Sequence, residues 1–485
     1  MLLIKIFTKK STIISNTLLL IMLSSIILII NNIYEHNLYS IAKTALFSYF
    51  IFYVTWAFHY KIRLNYYTIF LTATMLFYFG QFFLLLIGVE MDSGRTIIDG
   101  LLPYYKIIET GKYIINFMVV LHLGVIFSTF NINIYNYHFK QINNTHQLNS
   151  LSVNNFKKIA ILLFIVSIIP SFLILIKNIQ ITLSQGYGQI FQSSHYVLGG
   201  LNNISRFVSR FTIPSFLMLF IAYKNDKRII IICVIMIMYL IAYFLSGSRL
   251  AGVLLLSSLL LIRHYWYKPI NIKASIIMVP IAFFGIGLLS SISKIRNLIN
   301  TTNNINTFII ETFRNVILQN PIFLAIEEAG YTFLATTTVI TYSPLIVPHY
   351  FGMSYINSIL MLIPNLFWDV HPAANINTDI VFKSFLTKYG GIGSSFIAES
   401  YWNFGYFSLI LSLAFGIFIG IITKNIAKYA ASANSKMFYL SIYIGHLFLF
   451  YVRSDTVSFW RNFIYYGIVP LLIISLLSQI RTKRE

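Results

Sequence analysis

Apolar runs long enough to cross a lipid bilayer recur along this chain, and they constrain its fold more than any other feature. Hydrocarbon offers the main chain no hydrogen-bond partner. A crossing segment is therefore a helix of roughly 17–25 mostly apolar residues, or a strand of a closed barrel. The runs here are of helix length. Twelve spans are expected, near 13–30, 44–59, 66–89, 113–130, 159–175, 213–223, 229–245, 250–262, 274–292, 406–422, 438–452 and 463–477. With 57% hydrophobic and only 10% charged residues among 485, the chain lies far from soluble domains, where charged residues make up about 25%. The expected fold class is all-α, a polytopic integral membrane protein.

Charge orients the spans. The first run follows Lys5, Lys9 and Lys10. It is longer than a signal-peptide core, and Asn31, Asn32 and Tyr34 follow where small residues would precede cleavage, so it reads as a retained helix. Starting from a cytoplasmic N-terminus, twelve spans place Lys61, Arg63, Lys140, Lys157, Lys158, Lys224, Lys227 and Arg228 inside. Arg263, Lys268, Lys273, Lys424, Lys428, Lys436, Arg481, Lys483 and Arg484 join them, with Asp226 and Glu485 the only acids on that side. This is the positive-inside pattern with both termini cytoplasmic, and it accounts for most of the net charge of +21. The cations are spread evenly over short loops rather than gathered in a stripe, which argues against a nucleic-acid partner. Cys233 is the single cysteine and the histidines show no ligand spacing, so neither a disulfide framework, a protein-bound metal nor a cofactor is expected.

The chain divides into residues 1–292 with nine spans, an extracytoplasmic segment 293–399, and residues 400–485 with the last three spans and a cytoplasmic tail. The middle segment has helical pieces near 309–318, 322–339 and 355–363, separated by Pro344, Pro348, Pro364 and Pro372. A connection of this length implies a small helical layer or lid rather than a bare loop. No internal repeat relates two halves, which argues against a transporter built on inverted symmetry.

The outer charges are few and unusually placed. Arg206 and Arg210 precede the sixth span, Arg249 opens the eighth after Ser246-Gly247-Ser248, Arg453 ends the eleventh and Arg461 opens the twelfth. A helix N-terminus disfavours a cation by about 0.3–1 kcal/mol. Pairing with a neighbouring carboxylate or snorkelling to headgroups explains any one of these arginines. Three helices making the same choice point to an anionic ligand, because free N–H groups and guanidinium forks together form an anion site. Each charge-assisted hydrogen bond contributes about 1.5–3 kcal/mol, more than the dipole term. An embedded multi-arginine site suits the diphosphate of a polyprenyl lipid.

Glu399 follows Gly390-Gly391-Ile392-Gly393-Ser394-Ser395 at the start of the tenth span, where it either caps the helix or handles a sugar hydroxyl. Asp455, two residues beyond Arg453, either pairs with that arginine or contacts carbohydrate. Trp368, His371, Tyr401 and Trp402 are further candidates for sugar contact, with interfacial anchoring the alternative for the tryptophans.

The corner Gly247-Ser248-Arg249, the Gly390-to-Ser395 block with Glu399, Tyr401, Asn403, Phe404 and Gly405, and Arg453-Ser454-Asp455 resemble the Wzy family of O-antigen polysaccharide polymerases. The likeness extends over about 242–477. It implies an inner-membrane glycosyltransferase of the GT-C type that uses no nucleotide sugar. Such an enzyme passes a growing glycan from undecaprenyl diphosphate to the next lipid-linked repeat unit, with inversion at the anomeric carbon. On this resemblance Arg249, Arg453 and Arg461 hold the donor diphosphate, Arg206, Arg210 and Arg314 support them, and Glu399 with Arg249 acts in catalysis. Implied partners are undecaprenyl-diphosphate-linked glycans, membrane lipids, and the flippase and chain-length regulator of the same pathway. The rival readings are an O-antigen ligase delivering polymer to lipid A-core and a lipid-linked oligosaccharide flippase.

Overall fold

The computed structural model describes residues 37–60, 64–91, 96–98, 102–129, 150–185, 202–224, 226–247, 249–271, 321–360, 362–363, 378–382, 384–385 and 393–482, with 23, 26–27 and 100 beside them. Among them all regular structure is helical. The first helices are α1 (Leu38–His59), α2 (Tyr66–Leu86), α3 (Tyr104–Thr129) and α4 (Ser150–Gln185). Then come α5 (Asn202–Ser209), α6 (Thr212–Ala222), α7 (Ile229–Leu245) and α8 (Arg249–Ile262), the last extended by a π-turn to Tyr267. Four short helices follow: α9 (Pro321–Ala329), α10 (Tyr331–Tyr342), α11 (Met353–Leu360) and α12 (Thr378–Phe382). The chain closes with α13 (Phe396–Phe404), α14 (Ser408–Ala431), α15 (Ser435–Tyr451), α16 (Thr456–Asn462) and α17 (Val469–Thr482), the last two joined through a π-turn at Phe463–Ile468.

Eight described stretches are long and apolar enough to cross a membrane: Leu38–His59, Tyr66–Leu86, Tyr104–Thr129, Asn154–Thr182, Ile204–Ala222, Leu250–Tyr267, Phe396–Ala431 and Thr456–Leu476. Ile229–Leu245 is a shorter apolar helix. Each span expected between residues 44 and 262, and from 406 onward, coincides with a described helix. The span expected near 13–30 falls almost wholly outside the described residues, as does all of 274–292. Helix α4 runs through Pro170 without ending, and the helix expected to open at 406 is preceded by α13 and a turn at Gly405.

The bundle is tied by close main-chain approach and by buried polar links. Helices α3 and α14 meet through Gly124, Gly416 and Gly420: a Cβ on Gly416 would collide with the Leu121 carbonyl, and one on Gly420 with the Ser128 hydroxyl. Small residues at such crossings let membrane helices gain dispersion contact that larger side chains would block. His122 of α3 is fully enclosed, its ring nitrogens 2.8 Å from Thr55 Oγ1 of α1 and 2.6 Å from Tyr67 OH of α2. Asn65 caps α2 by accepting the Thr68 amide at 3.1 Å, while its own amide donates to Thr68 Oγ1.

The two ends of the bundle differ in chemistry. At one end Lys157 and Arg228 pair with Asp226 at 3.1 and 3.0 Å, and the backbone and side-chain N–H groups of Arg228 hold that carboxyl down at about 2. Lys224 lies over the Trp266 ring there. The other end carries the starts of α6, α8 and α16 and the end of α15, and with them Arg210, Arg249, Arg453 and Arg461.

Candidate functional site

Glu399 organises the arginine end. Ser395 caps α13 by accepting the Ala398 amide at 3.0 Å, which turns Glu399 inward, where it is 2% exposed. Its Oε1 accepts from Ser354 Oγ at 2.8 Å. Its Oε2 accepts from the Thr456 amide at 3.1 Å, Thr456 Oγ1 at 2.8 Å and Tyr451 OH at 3.2 Å. No cation among the described residues forms an ion pair with it, and the charge is met by four donors and by the free amides at the start of α16. Asn403, one turn on, donates to Ser354 Oγ at 2.7 Å and accepts the Gly352 amide at 2.8 Å. One carboxylate thus joins α11, α13, α15 and α16. The sequence places Glu399 at a helix start and marks Asn403 only as part of the glycine-rich block, but gives no sign of Ser354, Tyr451 and Thr456. A buried acid with hydroxyl donors drawn from three other helices leaves no local spacing to read.

The turn held by Glu399 bears the arginines. Arg453 stands in it half-buried, and Asp455 caps α16 by accepting the Ser458 amide at 2.8 Å. Asp455 therefore works first as a helix cap. Arg461 follows on α16, with its Nε enclosed and without a hydrogen-bond partner among the described residues. The charges of Arg210 and Asp455 both bear on it. Arg210 is exposed in the turn between α5 and α6, and Tyr466 lies within its reach. Arg206 is half-buried one turn earlier.

The corner between α7 and α8 belongs to the same neighbourhood. Tyr243, one turn before it, feels the charge of Arg210. The Ser246 carbonyl accepts from Thr182 Oγ1 at 3.1 Å, and Gly247 takes a φ of +88°, which lets the chain reverse with no intervening loop. Helix α8 then opens at Arg249. The structure thus brings Arg210, Arg461 and Asp455 together, with the helix start at Arg249 beside them. The side chain of Arg249 lies outside the described residues, as do Arg314, Trp368 and His371.

The aromatic candidates are placed differently from expectation. Trp402 is 3% exposed, stacks on Tyr350 with ring centroids 4.8 Å apart, and donates its Nε1–H to the Pro348 carbonyl at 3.2 Å. Tyr401 is packed against Tyr113, Tyr406 and His349. Both rings are spent on protein contacts, because the segment before α11 folds down over them, so neither offers an open face to a sugar.

Two guanidinium groups close enough for each charge to bear on the other, one with an enclosed N–H that no described residue meets, form an arrangement that attracts a multivalent oxyanion. No curated protein and no solved structure matches the chain. The family model described as O-antigen polysaccharide polymerase Wzy matches residues 12–485. Together with a helical membrane scaffold, that match across nearly the whole sequence places this chain in the Wzy family of O-antigen polysaccharide polymerases.

Proposed function

We propose that the protein joins oligosaccharide repeat units carried on undecaprenyl diphosphate, at the outer face of the bacterial cytoplasmic membrane. The arginine end faces outward in this reading, and the Lys157–Asp226–Arg228 end faces the cytoplasm, in keeping with the positive-inside pattern. The observation that carries the reading is the buried, unpartnered Nε of Arg461 set against the charge of Arg210. A guanidinium partly withdrawn from water beside a like charge is costly unless an anion offsets it.

Arg210 and Arg461 grip the donor diphosphate, with Arg249 and Arg453 completing the site and Arg206 and Arg314 behind them. An acceptor hydroxyl attacks the anomeric carbon from the face opposite the phosphate, the C–O bond to the diphosphate breaks with its electron pair staying on the phosphate oxygen, and the hydroxyl proton is released to water at the outer face. Guanidinium groups aimed at that oxygen favour the transition state more than the ground state, since its charge grows as the bond opens. Glu399 fits a positioning role: both its oxygens already accept hydrogen bonds, and it fixes the turn that bears Arg453 and the start of the helix that carries Arg461. The flippase and chain-length regulator of the same pathway are the expected partners.

Deleting the gene and resolving the surface glycan by gel tests the reading. Core capped by a single repeat supports a polymerase. Uncapped core with lipid-linked polymer would instead indicate a ligase, and uncapped core with single repeats trapped inside a flippase.

A further inference from the structure

Helix α11 is built inside out. Ser354, Asn357 and Ser358 are the residues it buries, while Met353, Ile356 and Ile359 stand exposed. The turn before it exposes Leu345 (82%) and Phe351 (78%), and Ile363 continues the apolar face beyond it. No Asp, Glu, Lys or Arg occurs between Glu328 and Asp369. A helix lying on a protein in water turns its apolar stripe inward. The reverse arrangement is that of a helix whose polar side is met by protein and whose apolar side is met by oil.

Its depth agrees. Near its start Ser354 is tied through Glu399 to Thr456, the first residue of α16. Past its end the Leu362 carbonyl accepts from Tyr465 OH at 2.8 Å. Tyr465 lies well inside the apolar stretch Thr456–Leu476, and at 1.5 Å per helical residue the interval from Thr456 spans roughly 13 Å. The short helix therefore descends alongside the last span. A helix that stops within hydrocarbon leaves carbonyls that only protein can satisfy, and Tyr465 supplies such a donor. Upstream, α10 is buried along almost its whole length, and α9 meets α2 where a Cβ on Gly80 would strike the Ile326 carbonyl. The charge-free segment is thus packed at the level of the spans.

We propose that residues 345–360 and 362–363 form a re-entrant element embedded in the bilayer, with the exposed side of α11 in contact with lipid acyl chains. Lipid is the occupant because the exposed face continues onto an apolar surface of a span. The Phe351 amide donates to the Asn403 carbonyl at 3.0 Å, His349 lies against Gly405, and Phe407 and Ile410 at the start of α14 are exposed beside them. This inference does not depend on the reaction the protein performs.

The test uses single-cysteine variants of the full chain in native membranes, with Cys233→Ser as background. Ile356→Cys and Ile359→Cys are compared with Ser432→Cys, in the turn after α14, and with Ile410→Cys, after opening the vesicles so that both faces are reachable. A charged maleimide needs a hydrated thiolate, so Ile356→Cys and Ile359→Cys are expected to react about tenfold or more slowly than Ser432→Cys, and like Ile410→Cys. A bimane attached at the same positions, after reconstitution into vesicles containing lipids brominated on their acyl chains, is expected to be quenched. Reaction at the Ser432→Cys rate overturns the proposal. So does slow reaction without quenching, which would mean that protein covers the face. Leu345→Cys and Phe351→Cys provide independent positions should either helix variant fail to accumulate.

Discussion

The Glu399 carboxylate accepts the backbone amide of Thr456, 57 residues along the chain, at 3.1 Å. Through that bond a short helix on one side of the bundle sets the start of the helix that carries Arg461. Removing the acceptor leaves the Thr456 amide and hydroxyl, Tyr451 OH and Ser354 Oγ enclosed with fewer partners, each unmet group costing about 1–3 kcal/mol. Glu399→Ala is expected to lower the amount of protein in the membrane. Glu399→Gln, which keeps one accepting oxygen, is expected to restore much of that amount while shortening the glycan ladder. Immunoblot of membranes beside the gel separates the two effects, and a full-length ladder in Glu399→Gln would remove the positioning role.

Arg461→Ala is expected to abolish chain growth with the protein still present in the membrane. Relieving Arg210 of a like charge does not destabilise the fold, whereas the diphosphate loses a charge-assisted contact. Arg461→Lys should rescue poorly, since a point charge lacks the planar fork. An in vitro assay on lipid-linked repeat units would show the loss.

Arg249→Ala makes the same test at the corner between α7 and α8. Its expected outcome is single-repeat capping at an unchanged protein level, with Arg249→Lys again a weak substitute. Unchanged ladders would take Arg249 out of the site.

Gly416→Leu is expected to prevent accumulation of folded protein. Even the first carbon of the new side chain meets the Leu121 carbonyl, and helices α3 and α14 would have to separate along their whole contact. Gly416→Ala should be milder and still measurable as a lower midpoint in a detergent thermal-denaturation assay.

Asp226→Asn is the contrasting case. Its partners Lys157 and Arg228 sit at the opposite end of the bundle, where ion pairs still reached by water contribute little. Ladder length and protein level are both expected to stay as they are.

Much of the scaffold was legible because apolar runs in a membrane protein are set by bilayer thickness, a constraint that acts locally. Ile229–Leu245 matches its expected limits, and α8 opens at Arg249 as the tight corner implies. The span ends were less legible: α4 passes through Pro170, and α13 interposes Glu399 ahead of the expected helix start. Neighbouring helices, which a linear reading does not hold, decide both. Whereas Arg206 and Arg461 fall in the last turns of α5 and α16, Arg249 announced itself by opening α8 against the helix dipole. The partners of Glu399 did not, since serine, threonine and tyrosine are ordinary in apolar helices until four helices converge. Trp402 reads as an interfacial aromatic, and only the folded chain shows Tyr350 lying on its face.

The seam at Gly124, Gly416 and Gly420 also limits how the molecule moves. At Gly124 and Gly416 main chain rests on main chain, and at Gly420 only the small Ser128 side chain intervenes, so α3 and α14 have little room to shift against each other. Another flank is made of rings: Phe207, Phe211 and Tyr466 meet edge to face or tilted around α5 and α6, and Phe172, Phe216, Tyr239 and Tyr243 do so between α4, α6 and α7. Rings can rotate and regroup at constant volume. Any breathing of the bundle is therefore expected in that ring-lined flank rather than along the glycine spine.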